Sequence, residues 1–382
     1  MIREDGMTEK KIRRYLTPGF EKRIRRYFLS LTEDGRERCF SDIDHTIETL
    51  SKEMGKDVKE TRWIIESIGL YLTSNAGKNF YADYQKIPLA GGAVLWTLQA
   101  PGGGSIHLVQ TNEGKLLVDC GYGINYEDWC RTLEDLGLSG FSDVKHLLCT
   151  HGDADHIGMA GYLPCASYMH PVTKQLLDDG SRGFAAVNDY PELVRTYTFS
   201  INTISHLAMP KQIIPAKTEP LRYRGIFPVI DEVSFAGLHF EVWESKGGHL
   251  AGQLFFYEEN EGLLFTSDCL INPATITKPR RVFGAIPNYL ITSANINSKL
   301  AVEERKALVS AAKELDTELK QQGKRLRLCC GHGAVSVFDE TGNMAVADPV
   351  MHYARCGAFS EMVHQKLMQL SWLVRKMTLS FV

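Results

Sequence analysis

Residues 150–158 read THGDADHIG, and this short stretch restricts the possible folds more than any other part of the chain. It follows directly after the apolar run VKHLLC, which predicts a buried strand. His151, Asp153, Asp155 and His156 therefore crowd into six positions at a strand end. Imidazole and carboxylate groups at this density are typical ligands of zinc, iron or manganese. The chain must therefore fold so that this loop lies at the open edge of a sheet.

Three further histidine or aspartate side chains also follow predicted strands. His249 comes after FEVWESKGG, Asp268 ends GLLFTSD, and His332 follows RLRLCCG. The two later histidines have glycines beside them that allow tight backbone turns, namely Gly247, Gly248, Gly331 and Gly333. Polar residues at strand ends converge on one rim of a sheet, where binding sites tend to lie. We therefore predict that these three side chains join the first four in one site.

Other polar residues near strand ends have plainer roles. We expect Asp119, in LLVDCG, to support the loop by hydrogen bonding and not to bind metal. A single histidine at a strand end is usually hydrogen-bonded structure, and we assign that role to His107, His146, His170, His206, His239, His352 and His364.

Strands and helices alternate along the chain, which predicts the α/β class with mixed sheets. Residues 1–88 are predicted to be a helical segment of unassigned role, because FEKRIRRYFLSL and DVKETRWIIESIGLYL space apolar residues three and four apart. Residues 89–345 hold the predicted strands and the seven polar side chains. Residues 346–382 predict a closing amphipathic helix that packs on the domain or on a partner, which makes a homodimer one possible arrangement.

Composition excludes several classes of protein. The chain has 382 residues, of which 44% are hydrophobic, and a net charge of −3, which gives no general attraction to nucleic acid or anionic membranes. It contains no apolar run of the roughly 20 residues that a membrane span needs, and MIREDGMTEKKIRRYL lacks the apolar core of a signal peptide. Its nine cysteines form no CxxC pair. We therefore predict a cytoplasmic protein with a small-molecule substrate and neither a nucleic-acid nor a membrane partner.

The order of the motifs resembles the metallo-β-lactamase fold superfamily. Its signature is HxHxDH after a strand, followed by a GH loop, a bridging aspartate at a strand end and a final GHG. This chain has THGDADHIG, GGHLAGQ, FTSDCL and CGHGAV in that order, and LLVDCG and YMHP also match. The resemblance covers residues 89–340 and implies an αβ/βα four-layer sandwich of two mixed β-sheets. The N-terminal helical segment is an addition to that fold.

The resemblance also implies a role for each of the seven side chains. One divalent metal would take His151, Asp153 and His249, and the second would take Asp155, His156 and His332. Asp268 would bridge the two metals. Asp155 and Asp268 would be the catalytic carboxylates that position the attacking hydroxide.

Two positions depart from the pattern of the superfamily. Ser267 stands where a glycine usually precedes the bridging aspartate, and Asp153 stands where the second histidine is expected. A histidine at 153 would leave two divalent metals, two aspartates and a hydroxide with one net positive charge, whereas an ionised Asp153 makes the cluster neutral. A hard oxygen ligand also favours iron or manganese over zinc.

Three functions are consistent with these residues. The first is a metal-dependent hydrolase acting on an ester, thioester, lactone, amide or phosphoester through a metal-bound hydroxide. The second is a diiron protein that binds or reduces O2 or NO, or oxidises a substrate. It rests on the resemblance of Asp153 to the glutamate of HxExDH in flavodiiron proteins, and its electrons would come from a separate donor protein. The third is a non-enzymatic role with a structural metal site.

Substrate choice is predicted to depend on the less regular connection at 180–220 and on the connection at 270–296, with the N-terminal segment as a further candidate. These connections carry aromatic and basic residues that would suit an acidic substrate, and they are equally typical of a solvated surface. The residues are Arg182, Tyr190, Arg280 and Arg281.

Overall fold

The structure is a computed structural model that describes residues 17–20, 22, 33–180, 182, 191–289 and 293–380. Tyr190 and most of the predicted helix in residues 20–31 lie outside these described residues. The α-helices within them are α1 (Glu33–Glu53), α2 (Val58–Ser74), α3 (Tyr126–Asp135), the one-turn α4 (Ala154–Ile157), α5 (Pro171–Asp178), α6 (Pro191–Ile204), α7 (Lys278–Ala285), α8 (Ser298–Gln321) and α9 (Ala358–Ser380).

The strands form two sheets of eight. In chain order they are β1 (Tyr81–Pro88), β2 (Val94–Gln99), β3 (Ser105–Gln110), β4 (Lys115–Val118), β5 (Val144–Leu148), β6 (Ala166–Met169), β7 (Ile213–Pro215), β8 (Arg222–Arg224), β9 (Phe227–Phe235), β10 (Leu238–Glu244), β11 (Leu254–Glu258), β12 (Leu263–Ile271), β13 (Arg327–His332), β14 (Ser336–Phe338), β15 (Met344–Val346) and β16 (Met351–Ala354).

Both sheets are mixed. The first has the order β16-β1-β2-β3-β4-β5-β6-β7, and its strands from β4 to β7 run parallel. The second has the order β15-β14-β13-β12-β11-β10-β9-β8, with β12 and β13 parallel. Because the carboxyl ends of parallel strands meet at one edge, the loops after β5, β12 and β13 can supply one site.

The core lies between the sheets and is covered by helices on both outer faces. Leu148 of the first sheet and Phe240 and Phe265 of the second belong to the central layer. Each of these side chains is at most 1% exposed, and burying one contributes roughly 1.5–3 kcal/mol. Trp129 of α3 packs on the outside of the first sheet, and Leu308 of α8 on the outside of the second. This arrangement confirms the predicted αβ/βα four-layer sandwich.

A separate apolar cluster joins the N-terminal helices to the body of the protein. It contains Ile47 of α1, Ile64 and Ile68 of α2, Ile204 of α6 and Phe283 of α7. The side chain of Asp57 caps the first turn of α2 by accepting from the backbone N–H of Lys59 at 2.6 Å. Residues 33–53 and 58–74 of the N-terminal segment are therefore helical, as predicted, and pack on helices from the later chain.

Three stretches differ from the prediction. Residues 81–88 were expected to be helical but form β1, and residues 351–354 form β16 and not the start of a helix. These two strands pair antiparallel, with Tyr81 opposite Ala354. The connection at 180–220, which was predicted to be less regular, contains α6, and α6 packs against α1. Residues from the N-terminal and C-terminal parts of the chain thus pair in the first sheet. The division into three domains stays a prediction.

The last helix, α9, turns a polar side toward the protein and an apolar side outward. Its inner side makes polar contacts, since His364 and Gln365 lie 3.3 and 3.2 Å from Oδ1 of Asn75. Its outer side exposes apolar side chains, including Phe359, Leu367 and Leu370. The homodimer that the amphipathic pattern suggests stays a prediction. Of the described helices, none combines the length and hydrophobicity required to cross a bilayer.

Candidate metal centre

The seven predicted side chains lie together at one edge of the sandwich. The loop after β5 and the one-turn helix α4 carry four of them, the loop between β10 and β11 carries His249, and β12 and the end of β13 carry Asp268 and His332. Six of them, all except Asp268, form two groups of three whose possible ligand atoms lie within 4.8 Å of one another within each group. The groups match the two predicted ligand sets.

The first group consists of His151, Asp153 and His249. Nε2 of His249 lies 3.3 Å from both Nε2 of His151 and Oδ2 of Asp153. Nε2 of His151 lies 3.6 Å from the same carboxylate oxygen. A tetrahedral ion with ligands at about 2.1 Å spaces them about 3.4 Å apart, so these three atoms have the separation of a metal site.

The second group consists of Asp155, His156 and His332. Oδ2 of Asp155 lies 3.7 Å from Nε2 of His156 and 3.4 Å from Nε2 of His332. Its three ligand atoms are therefore spaced like those of the first group.

Asp268 lies between the two groups. Its Oδ1 is 3.1 Å from Nε2 of His156 and 3.3 Å from Nε2 of His332. Its Oδ2 is 3.6 Å from Nε2 of His249. One oxygen therefore faces each group, which is the geometry that the predicted bridging role requires.

Unpaired polar atoms at the centre fit a cation. Nε2 of His156 and Oδ1 of Asp268 are buried and lie 3.1 Å apart, but they are not aligned for a hydrogen bond and have no other hydrogen-bond partner. This arrangement is costly unless an ion satisfies them. Burial lowers the pKa of His156, but Asp268, Asp155 and Asp119 together raise it well above its usual value. Burial also raises the pKa of Asp268, but His332 and His156 hold it well below its usual range. The surroundings thus favour positive charge where a metal would lie.

Asp119 supports the second group from behind, as predicted. Its Oδ1 accepts from the backbone N–H of Thr150, and its Oδ2 accepts from the Thr150 hydroxyl and from Nδ1 of His156, all at 2.8 Å. Asp119 also belongs to a third possible ligand group with His151 and His156. We assign it a supporting role because both oxygens already accept hydrogen bonds and the bond to His156 engages Nδ1, leaving Nε2 to face the centre.

Ser267 supports the first group through its hydroxyl. Its Oγ lies 3.0 Å from Nδ1 of His151 and donates to the hydroxyl of Thr150 at 2.9 Å. The backbone of Ser267 has a φ of 50°, a conformation that favours glycine and costs another residue about 1–2 kcal/mol. This φ explains why a glycine would fit, and the hydrogen bond gives the serine a function that a glycine lacks.

The loop that carries His249 is held by a residue that the sequence did not reveal. Glu304 of α8 is 1% exposed. Its Oε1 accepts from the Ser245 hydroxyl at 2.7 Å and from the backbone N–H of Lys246, and its Oε2 accepts from the N–H of Gly248 at 2.7 Å. A glutamate within a helix carries no sequence signal of burial, so this role needed the structure. Nδ1 of His249 is fixed in addition by Oδ1 of Asn295 at 2.9 Å.

The glycines beside His249 and His332 are explained by close contacts with neighbouring atoms as well as by tight turns. Gly247 and Gly333 have φ values of 85° and 92°, as a tight turn requires. Gly331 does not, but a Cβ there would lie 2.2 Å from Oδ1 of Asp268. A side chain at 331 would therefore displace the bridging carboxylate.

A cavity of about 330 Å3 opens above the seven side chains. Its floor includes Asp155 and Asp268, and its walls include Ile68 of α2, Tyr197 of α6 and Phe283 of α7. The N-terminal helical segment, whose role the sequence left open, thus lines the entrance to the site. Tyr197 was also missed, because the sequence did not predict α6.

The four residues predicted to select the substrate have different surroundings. Arg182 is buried beside Asp153, with Nε 2.9 Å from Oδ1. Arg280 lines the cavity but is buried and occupied, because it pairs with Asp83 and donates to the carbonyls of Ala100 and Gln99 at 2.7 and 3.0 Å. Arg281 lines the cavity and is exposed. Tyr190 lies outside the described residues.

The sequence matches one family model. The model describes the metallo-beta-lactamase superfamily and matches residues 100–311, which is more than half of the chain. No protein with a curated description matches the sequence.

Several solved structures are similar to this one. AidC, described as a dizinc quorum-quenching lactonase in complex with a product, has a TM-score of 0.43 and 14% identity over 70% of this chain and 98% of that chain. AbOPH, described as a hydrolase in the beta lactamase superfamily, has a TM-score of 0.45 and 12% identity over 71% and 98%. BJP-1, a subclass B3 metallo-beta-lactamase of Bradyrhizobium japonicum, has a TM-score of 0.38 and 15% identity over 60% and 73%.

Proposed function

The chain belongs to the metallo-β-lactamase superfamily, and on that basis we propose that it is a hydrolase that works with two divalent metal ions. The observation that carries the proposal is the position of Asp268 between two groups of ligand atoms, with one oxygen toward each. We propose that His151, Asp153 and His249 hold one ion, that Asp155, His156 and His332 hold the other, and that Asp268 bridges them. Zinc, iron and manganese all suit this ligand set.

The residues of the chain have three tasks in this reaction. When bound, the two ions would supply an ionised water at neutral pH and an electrophile for the substrate oxygen. Asp155 and Asp268 border both the cavity and the ligand groups, so their carboxylates orient the attacking water. The helices that wall the cavity limit access of bulk water to the reacting bond, which strengthens electrostatic interactions inside.

The cavity favours a small substrate with an apolar part. A volume of about 330 Å3 is at the small end of the range of ligand sites. Ile68, Tyr197 and Phe283 would contact the apolar part, and the ester, thioester, lactone, amide or phosphoester group would face Asp155 and Asp268. Exposed Arg281 at the cavity wall would tolerate an anionic group at the far end.

A diiron protein is the second candidate, and one observation favours it. Oδ2 of Asp153 has the position of a ligand in the first group, 3.3 Å from Nε2 of His249, and a carboxylate ligand favours iron over zinc. In this alternative the site binds or reduces O2 or NO, or oxidises a substrate, with electrons from a separate partner protein.

Metal content and activity together test the proposal. The protein is purified without added metal or chelator, its metals are measured by mass spectrometry, and an optical spectrum is recorded. Two zinc or manganese ions per chain, with an esterase, lactonase or phosphodiesterase activity that a chelator removes and metal restores, would support the hydrolase. Two irons with near-ultraviolet oxo-iron absorption and consumption of O2 or NO would support the alternative. A protein that binds no metal, even when metal is supplied, would contradict both.

A further inference from the structure

We propose that Arg182 is a positioning residue for Asp153: it fixes one carboxylate oxygen and offsets the charge, so that an aspartate can do the work of a neutral ligand. The inference rests on the proposed metal site. It concerns a residue that lies outside the ligand set and outside the motifs that define it.

The two oxygens of Asp153 face different partners. Oδ2 faces Nε2 of His151 and Nε2 of His249, at 3.6 and 3.3 Å. Oδ1 faces Nε of Arg182 at 2.9 Å. The ion pair therefore engages Oδ1 and leaves Oδ2 for the metal.

Arg182 is a dedicated partner. Its side chain is 9% exposed, and among the described residues Asp153 supplies the one carboxylate within 4 Å of it. A guanidinium group stays charged at any pH at which the protein is folded. The guanidinium group therefore places a fixed positive charge beside Oδ1 of Asp153.

This pair changes the charge of the centre. Replacing a neutral histidine by Asp153 removes one unit of positive charge from the predicted cluster, and Arg182 returns that unit from 2.9 Å away. The substrate would therefore meet nearly the same total field as at a histidine-ligated centre, while the metal keeps an oxygen ligand. The expected loss of polarising power at an aspartate-containing centre is thus compensated within the fold.

An anion-binding role for Arg182 is the alternative reading. Arg182 borders the cavity, but its Nε is buried and faces Oδ1 of Asp153 at 2.9 Å. Arg281, which is exposed at the cavity wall, is better placed for a charged substrate group. We therefore assign Arg182 the role of supporting Asp153 and not that of binding the substrate.

A double-mutant cycle on metal affinity tests the assignment. The four proteins are the wild type, Arg182→Met, Asp153→His and the double variant, each titrated with Zn2+ in competition with a chromophoric chelator so that two affinities are resolved. In the wild-type background Arg182→Met should weaken the first ion by about 10- to 100-fold, the usual effect of losing a supporting partner, and leave the second unchanged. Arg182→Lys should restore part of the loss, because it keeps the charge without the planar geometry.

The effect of Arg182→Met on the affinity for the first ion should change sign in the Asp153→His background. With histidine at 153, Arg182 faces a divalent ion without a carboxylate between them, so Arg182→Met should strengthen binding of the first ion. A residue that only fills space would produce the same effect in both backgrounds, and that result would overturn the proposal. An unchanged metal affinity combined with a higher KM for anionic substrates would also overturn it, in favour of the anion-binding role.

The same titration separates this inference from the proposed function. Two ions on the wild type with no effect of Arg182→Met would reject the role of Arg182 alone. No ion on the wild type would reject the metal centre itself. Occupancy of the second site, in a variant whose circular dichroism matches the wild type, shows that the substitution has not unfolded the chain.

Discussion

Two networks of histidine and carboxylate groups differ in how their polar atoms are satisfied. One is the candidate metal centre. The other, here called the Asp83 network, consists of Asp83 on β1, Arg280 on α7, His352 on β16 and Glu361 on α9. Both contain a histidine beside two carboxylates, and both contain a buried arginine.

The polar atoms of the Asp83 network satisfy one another. Nδ1 of His352 lies 2.6 Å from Oδ1 of Asp83, and Nε2 lies 2.6 Å from Oε2 of Glu361. Arg280 pairs with the other oxygen of Asp83, donates to two backbone carbonyls, and lies over the ring of Tyr81 at 5.3 Å. No atom of His352 is left for a ligand, so this network joins helices and strands.

The metal centre leaves two of its inner atoms, Nε2 of His156 and Oδ1 of Asp268, without a hydrogen-bond partner. Each of His151, His156 and His249 has a hydrogen bond at Nδ1 and presents Nε2 to the centre, where Nε2 of His156 has no partner. The composition of the two networks is alike, and the difference lies in whether the inner atoms have partners. We therefore expect substitutions in the metal centre to lower metal affinity and activity. Substitutions in the Asp83 network should lower the free energy of unfolding.

The largest effect is expected for Asp268→Asn. An amide offers one oxygen in place of the two that face the ligand groups, so both ions lose a ligand. We expect activity to fall by at least about 10^3-fold, the scale of removing a directly acting group, and metal content to fall with it. Activity assays and metal analysis check this, with circular dichroism as the fold control. Full activity with two metals bound would break the comparison.

Arg280→Met should act on stability instead. Removing the arginine leaves Asp83 buried beside one remaining cation and removes the hydrogen bonds that Arg280 donates to the carbonyls of Gln99 and Ala100. Breaking a buried ion pair costs about 3–5 kcal/mol, which denaturant unfolding would measure. The exposed neighbour Arg281→Met is the matched control and should change stability little. A loss of metal in Arg280→Met at temperatures where it is folded would contradict the separation.

Asp119→Asn should weaken the second ion selectively. The carboxylate oxygen that accepts from Nδ1 of His156 would become an NH2 group or lose a partner at Thr150. We expect metal affinity at the second group to fall by about 10- to 100-fold, while the first group changes less. Asp231→Asn is a control, since Asp231 is a buried carboxylate that bonds Tyr168 and Lys217. Equal effects of the two substitutions on metal binding would argue against the supporting role of Asp119.

The smallest effect concerns the pH dependence of stability. Hydrogen bonds to Asp83, opposed by partial burial and helped by Glu361, raise the pKa of His352 from 6.5 to about 9. A raised pKa in the folded state stabilises the protein fully below about pH 6.5, and this contribution is lost as the pH rises through about 9. Because His352 is half exposed, we expect about 1 kcal/mol or less.

Unfolding of the wild type and of His352→Gln at pH 6 and pH 9.5 would measure this contribution. The variant should show a smaller loss of stability between these pH values. The exposed His239→Gln should behave like the wild type. A wild-type stability that rises from pH 6 to pH 9.5 more than in the variant would contradict the assignment.

The sequence predicted the sandwich well where the chain is strongly patterned. Apolar strands such as KLLV and VLWTLQ are buried on nearly every residue, so their composition identifies them. The strand β1 was missed because YADYQKIP mixes charged and apolar residues and lies next to a helical pattern. The helix α6 was missed because its polar and aromatic residues gave no clear helical period, and its helical state depends on packing against α1.

The site was predictable only in part. The seven side chains could be predicted from the order of the motifs, because each motif stands at or just after the end of a strand. The support from Asp119 was also predicted, but those from Glu304 and Arg182 were not, because Glu304 lies in the middle of a helix and Arg182 in a connection without a motif. Long-range partners of this kind are set by tertiary packing, which spacing along the sequence does not record.

The pairing of β1 with β16 has a consequence for how the chain is made. Tyr81 pairs with Ala354, so the partner of β1 leaves the ribosome long after β1 itself. Until residues 351–354 have been synthesised, one edge of the first sheet keeps unpaired backbone N–H and C=O groups, a feature that invites wrong pairing. His352 on β16 then anchors that edge to Asp83. Completion of the first sheet is therefore a late event in synthesis, and the open edge of β1 can pair wrongly until then.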